Sequence, residues 1–550
     1  MGIHLVAFED EDQPPRIHFV RDVLVEPGLA FAGADAEELA VHLLHLAELH
    51  AVGRVHEAPD RQPFSLERHP VTCAGSFAQG RLHALNESRV ELRIAVTTRA
   101  ARSSPVRNRR NGRHKETAMH DTDIAIVGGG IAGLAAAVEA ARSGVRVRLF
   151  ERSEHVGGRG ISGNEGGFTF NLGPHALYDS HFRRALDDFG VRYTGRRPKA
   201  DIAERAGRFY RLPITASNIA TTRLLGMRDR FEFAAMLARA MKANDSFATT
   251  SIRDWIDANA GRPRVRETAE ALFRLVTYAN APDIVSFDAI PVQAEGAAVL
   301  YIDHGWQSLI DGLHRAAGEA GVDIVQQARV ERVAPAVNGY ELTLAGGTRI
   351  SARGVILAVE PGVAAKLVDG PGASALRRWA NEAVPVRAAC LDVALSKLPN
   401  PRRPFALSID TPQYMSVHST WADLAPPGGA IVSAARYLAP GEDGSTAAEG
   451  LEELLDKAQP GWRDYVVYRR FMPSLVVAQD VPKAAKGGLA GRPGPAVPGA
   501  QGLFVAGDWV GPEGMLSDAA AASARSAARS AVALVRRAEA ALDEPVRISA

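Results

Sequence analysis

The sequence predicts an α/β fold: a Rossmann-like nucleotide-binding domain assembled from separated pieces, with an α+β domain inserted between them. Three observations predict it. At 123–143 a short apolar strand runs through a glycine-rich turn into an Ala-rich helix, in "DIAIVGGGIAGLAAAVEAARS". An alternating second strand, "VRVRLF", follows and leads directly to an acid, Glu151. Near the other end, "GLFVAGD" at 502–508 returns as an apolar strand, again followed by an Ala-rich helix. Strand, crossover helix and parallel strand are the repeating unit of doubly wound sheets.

Composition narrows the class. At 550 residues and 46% hydrophobic content the chain can bury a large core in two domains. Lys and Arg number 64 against 63 Asp and Glu, so no global field draws it to nucleic acid. Two cysteines, Cys73 and Cys390, have no partners at metal-ligand spacing, which argues against a disulfide framework or a metal site. No apolar run approaches the ~20 residues of a spanning helix. The expectation is a cytoplasmic protein.

Residues 1–118 differ in texture. They hold nine of the 16 histidines and end in the basic run "RAARSSPVRNRRNGRHK". One helical segment, "AEELAVHLLHLAELHAV", has nothing beside it to complete a domain. The stretch is read as a disordered or untranslated leader, with the working chain starting at Met119. Lys115-Glu116 can be encoded as a bacterial ribosome-binding sequence just ahead of that methionine.

From Asp123 the elements follow in order. Ile131 to Ser143 is helical and closed by Gly144, and 222–290 is mostly helical. Within it, Leu224, Met227, Phe231, Ala234, Ala238 and Met241 share one face of "RLLGMRDRFEFAAMLARAMK". That stripe is read as packing on its own domain; the alternatives are a membrane dock or a channel lining. Strands then join through turns at Asn338-Gly339 and Gly346-Gly347, and "RAACLDVAL" and "AIVSAARYL" add two more. The domain pieces fall at 119–200, 300–365 and 490–540 for the nucleotide, and at 201–299 and 366–489 for the substrate.

Gly128, Gly130 and Gly133 form G-x-G-x-x-G between strand and helix. The first permits the turn, the second admits a pyrophosphate, and the third lets helix pack on strand. Glu151 stands 18 residues after Gly133, where an acid accepts from ribose hydroxyls. That favours FAD or NAD over NADP, whose 2′-phosphate the acid would repel.

"ERSEHVGGRG" at 151–160 and "GLFVAGDWVGPEGMLSDAAAASARSAARSAV" at 502–532 separate FAD from NAD. With them the sequence resembles the flavin-dependent amine oxidase superfamily, which includes phytoene desaturases and protoporphyrinogen oxidases. The resemblance covers about 119–535 and is strongest at its two ends. It implies noncovalent FAD, with Gly157, Gly158 and Arg159 by the phosphates, and Arg152 beside them. Gly507 and Asp508 would meet the ribityl chain, and Met515 the flavin end of the last helix. "FNLGPHAL" resembles the segment along the isoalloxazine, which points to Pro174 and His175. "ARVERV" resembles the strand that meets adenine, placing Val330 there. "YIDHGWQSLIDGLHRAA" resembles a Gly-Gly helix start with His304 in the first glycine's place. His175 and Trp306 are the candidates for the flavin face, and no catalytic base is assigned.

Two departures matter. Asp518 and Ser523 stand where the family has glycines, and an aspartate near the flavin would oppose charge on its reduced form. The resemblance implies an oxidoreductase passing a hydride from an apolar substrate to flavin N5, with oxygen or another acceptor and possible peripheral membrane contact. The rivals are a non-catalytic prenyl-binding protein on this scaffold and an NAD-dependent dehydrogenase.

Overall fold

The computed structural model describes residues 121–543 except 243, 244 and 297, together with two short strands, Val6–Phe8 and Arg16–His18. Those two strands pair antiparallel, with Val6 opposite His18. The rest of the expected 1–118 leader and the Met119 start lie outside the described residues. Residues 116–550 form a separate compact unit.

The strand Thr122–Val127 is buried along its whole length because it is covered on both faces. It lies inside a seven-stranded sheet, parallel to Val147–Phe150 on one side and Arg349–Leu357 on the other. Asp323–Val325 extends the sheet beyond Val147–Phe150. On the far side, Leu503–Val505 pairs in parallel with the end of 349–357, Val355 opposite Leu503. The hairpin of Val330–Ala336 and Gly339–Leu344 pairs antiparallel with its start. Segments far apart in sequence thus share one sheet.

Alanines explain the layer above it. The helix Ile131–Ala141 and the last helix, Leu516–Asp543, bury Ala135, Ala136, Ala524, Ala527, Ala528 and Ala531 in one core. Small side chains let two helices and a sheet approach closely. Gly133 is required for the same reason: a Cβ there would sit 1.8 Å from the Gly128 carbonyl oxygen.

A second seven-stranded sheet runs 466–478, 386–395, 430–438, 413–417, 405–408, 202–205 and 208–211. Its second strand, Val386–Leu395, is paired on both sides and buried at nine of ten positions, so both faces are covered. The helix Ala447–Ala458 packs on one face. The helices between 227 and 295 share a core with the other.

The 223–242 stripe overturns its expected packing. The helix spans Met227–Ala240 and buries Phe233, Met236 and Ala240 instead. Of the six residues in the stripe only Leu224, which precedes the helix, is buried. Met227 is 63% exposed and Phe231 73%. Phe233, Met236, Leu237 and Ala240 offer a second apolar face, and that one meets the domain.

His304 has φ of +62°, a left-handed conformation that favours glycine. Its N–H donates to Asp423 O at 2.8 Å, which holds the strained turn in place. The side chain is 73% exposed and contributes little in return. His304→Gly should therefore raise stability to chemical denaturation by up to about 1 kcal/mol. A destabilised variant would mean that the imidazole, not the backbone, supports this turn.

Candidate functional site

The three motif glycines stand in three different environments. Gly128 takes φ of +103°, and a Cβ there would lie 2.6 Å from Ala358 O. Gly133 touches Gly128, as above. Gly130 has nothing within 4 Å of where a Cβ would be, so its side stays open to an approaching group. Gly130 also caps the helix 131–141 without any side-chain hydrogen bond. The first-turn N–H groups therefore keep their donors and their partial positive charge.

The elements around this turn carry the other expected adenosine contacts. Glu151 Oε2 accepts from Gly129 N at 2.7 Å and Oε1 from Ser153 N at 2.8 Å, which anchors the carboxylate at the strand end. Ala328 N donates to Glu151 O, and the chain then enters the strand beginning at Val330, itself 7% exposed. Arg152 is exposed and makes no side-chain hydrogen bond among the described residues. Gly157 forms a bridge to Gly130, and Gly157 N donates to Gly129 O at 2.8 Å. The two glycine-rich turns are thus one surface.

Arg159 joins that surface to the far end of the sequence. Its Nη2 donates to Asp508 Oδ2 at 2.8 Å and its Nη1 to Val477 O at 2.9 Å. Asp508 is 3% exposed, and its Oδ1 has no partner among the described residues. A buried carboxylate oxygen without a donor is costly unless a hydroxyl or N–H is supplied there. Gly507 is clasped by Ser523, whose Oγ accepts from Gly507 N at 3.0 Å and lies 2.9 Å from Gly507 O as a donor. The serine in the expected glycine's place therefore fixes the turn before Asp508.

Three groups were missed by sequence reading. Arg492 is buried, donates to Gly514 O at 2.7 Å and Asp508 O at 3.4 Å, and so ties down the loop before Met515. Gln479 N donates to Asp508 Oδ2 at 3.3 Å. Cys390 Sγ would lie 3.2 Å from a Cβ on Gly173, next to Pro174. Arg492 sits in a Pro/Gly connector and Cys390 in a strand, so nothing local flagged either.

His175 and Trp306 meet edge-on, ring centroids 4.7 Å apart. His175 Nδ1 lies 3.0 Å from Gly173 O, to which only an N–H can bond, and burial lowers its pKa. Trp306 is 4% exposed, and its indole N–H has no partner among the described residues. Met515 is buried, and its carbonyl accepts from Asp518 N at 3.0 Å, starting the last helix. Leu516 beside it holds φ of +53°. All but one of the expected residues are thus set around the glycine turns, the Asp508 turn or the His175–Trp306 pair; Arg152 is the outlier.

Residues 131–532 match the model of the flavin containing amine oxidoreductases. The chain belongs to that family. A 4,4'-diapophytoene desaturase (4,4'-diaponeurosporene-forming) of Staphylococcus haemolyticus is 39% identical over 71 residues, 13% of this chain and 14% of that protein. An oxidoreductase from Methanosarcina mazei shares the fold at a TM-score of 0.60, with 18% identity over 74% of this chain and 99% of its own. Cyclohexylamine oxidase from Brevibacterium oxydans shares it at 0.56, with 15% identity over 76% of this chain and 100% of its own. As a member of the flavin-containing amine oxidoreductases, the chain is a flavin-dependent oxidoreductase. No described helix is long and apolar enough to cross a membrane.

In this family member Asp518 does not act as a bare charge at the helix start. Its Oδ1 accepts from Phe182 N at 2.7 Å, capping the helix His181–Asp188, whose own Ser180 supplies no cap. Burial pushes the Asp518 carboxyl up from 3.8 to about 6. The folded state therefore holds this proton more tightly than the unfolded chain does. Stability from this group is full below the unfolded value and is lost as pH rises through about 6. Asp518→Asn keeps an oxygen for Phe182 and carries no charge. It should flatten that slope and gain up to about 3 kcal/mol at neutral pH. Urea titrations on both sides of the transition check this; parallel pH profiles for the two proteins would refute it.

Proposed function

We propose that the chain holds FAD without a covalent bond and uses it to oxidise an uncharged, apolar organic substrate. The observation that carries the cofactor reading is the Arg159–Asp508 contact, which joins the two halves of the motif and leaves Asp508 Oδ1 without a partner among the described residues. Glu151 would accept from ribose hydroxyls, and the uncapped helix at Ile131 would face the pyrophosphate. Asp508 Oδ1 would accept from the ribityl chain. When bound, FAD would supply a two-electron acceptor for a hydride from a substrate carbon, with oxygen or another acceptor as the final oxidant. Cys390 lies near the Gly173 segment, but burial raises its thiol well above the usual value, so no thiolate stands ready to form a tether.

The substrate reading rests on the wall beyond His175. Tyr301 stacks on His418 with centroids 4.2 Å apart, and Tyr414 stacks on Tyr437 at 5.5 Å. Tyr278 stands edge-on to both Tyr414 and Tyr437. Burial pushes the phenols of Tyr178, Tyr414 and Tyr437 well up, and brings the His418 imidazole down to about 4. These groups are neutral at pH 7. A wall of neutral rings favours an apolar molecule over a protonated amine, which would lose its hydration without an anionic partner. The same rings exclude water from the reacting carbon.

Acid precipitation should release a yellow supernatant whose cofactor runs as FAD. A colourless protein, or flavin left in the pellet, would sink the cofactor reading. Asp508→Ala should weaken flavin retention by about 1.5–3 kcal/mol, since the ribityl hydroxyls lose a charged partner. Under anaerobic conditions a long-chain polyene should bleach the flavin. Bleaching by an alkylamine instead would overturn the apolar reading while leaving FAD in place.

A further inference from the structure

From the exposed face of the helix Met227–Ala240 and the cations beside it, we infer that this helix docks the protein on an anionic lipid bilayer. At 100° per residue, Met227, Phe231, Ala234, Ala235, Ala238 and Met241 cover roughly 120° of the circumference. Met227, Phe231 and Met241 are 63%, 73% and 55% exposed, and the three alanines between them, Ala234, Ala235 and Ala238, are exposed as well. Isolated exposed hydrophobic residues are ordinary, but three large ones in a single stripe are not.

The charges on this helix are sorted by side. Arg228 and Lys242 flank or interrupt the stripe, both exposed and without a carboxylate partner among the described residues. Arg239 stands on the same flank, with one weak bond to Asn259 O at 3.3 Å. The helix's two acids are turned away and already used. Asp229 accepts from Gly226 N at 3.1 Å and pairs with Arg262. Glu232 accepts from Gly261 N at 2.6 Å and from Arg262 N at 3.0 Å. The outward arc therefore carries apolar groups and positive charge only. An apolar stripe with a cationic flank suits the interface of an anionic membrane, where rings and thioethers enter the acyl boundary and cations meet headgroups.

A second copy of the chain fits less well. A two-fold contact through this face would set Arg228 and Lys242 against the same cations of the other copy. The inference is independent of the substrate reading, since it concerns a surface outside the nucleotide cradle.

Flotation of the full-length, flavin-loaded protein with phosphatidylcholine vesicles, with and without phosphatidylglycerol, tests it. Binding should require phosphatidylglycerol and fall with added salt. Arg228→Glu combined with Lys242→Glu should weaken it by at least about twenty-fold, since each cation near such a surface is worth about fivefold. Phe231→Ser combined with Met227→Ser should abolish insertion. Both variants should melt like the parent and keep their flavin, because the altered side chains are exposed. Absence of vesicle binding, or binding indifferent to both pairs of substitutions, overturns the proposal. So does self-association of the parent that the Phe231→Ser pair removes, which would identify a second copy as the occupant.

Discussion

Asp508 is buried to 3% exposure, and one of its oxygens is held by Arg159 from 349 residues earlier. A carboxylate taken out of water costs several kcal/mol unless a cation and donors meet it. Here the cation can arrive only if the turn after the second strand and the turn after Leu503–Val505 come to one place. The sheet registers bring them there. Ile356 pairs with both Ile126 and Phe504, so the strand 349–357 spaces the two turns. Ser523 and Arg492 then fix the backbone on either side of the aspartate. The glycine cradle, the sheet order and the last helix all answer to that one contact.

How far this was legible in the sequence depended on range. Gly128 and Gly133 were readable because their constraint is local: a turn and a helix crossing within six residues. His304 was readable as an oddity, a side chain where the resembling motif has glycine, and the structure gives it the left-handed φ that glycine would take. Arg492 was not readable, since its partners Asp508 and Gly514 are brought to it by strand pairing and not by spacing. The helix Met227–Ala240 shows a sharper failure. Periodicity announced an amphipathic helix but not its orientation, because Phe233, Met236, Leu237 and Ala240 are as apolar as the opposite face. Only the tertiary partner decides which of two such faces is buried.

Two of the five described non-glycine residues held at positive φ stand beside the proposed cofactor and substrate surfaces. Leu516 opens the last helix at φ of +53°, next to Met515. Tyr278 ends the helix Pro263–Thr277 in the left-handed position where glycine usually stands. Each conformation costs about 1–2 kcal/mol in a residue with a Cβ, so something must hold it. For Tyr278 the holding group is visible: its ring is set against Tyr414 and Tyr437, and its hydroxyl lies 3.5 Å from that of Tyr414. A glycine there would relieve the backbone and lose the ring.

The same burial that strains these positions also sorts the charges. It holds phenols and imidazoles neutral along the aromatic wall, and it drives Asp518 toward its neutral form while Phe182 N–H occupies it. Asp508 sits as deep, yet it has Arg159 as an ion-pair partner. The proposed cofactor contact is thus an ion pair, and the proposed substrate wall is built of neutral rings. A single fold can present both environments because they come from different sheets. The cradle stands on the strands around Thr122–Val127, and most of the wall stands on Gln413–Val417 and Ala430–Leu438 with the helices that cover them.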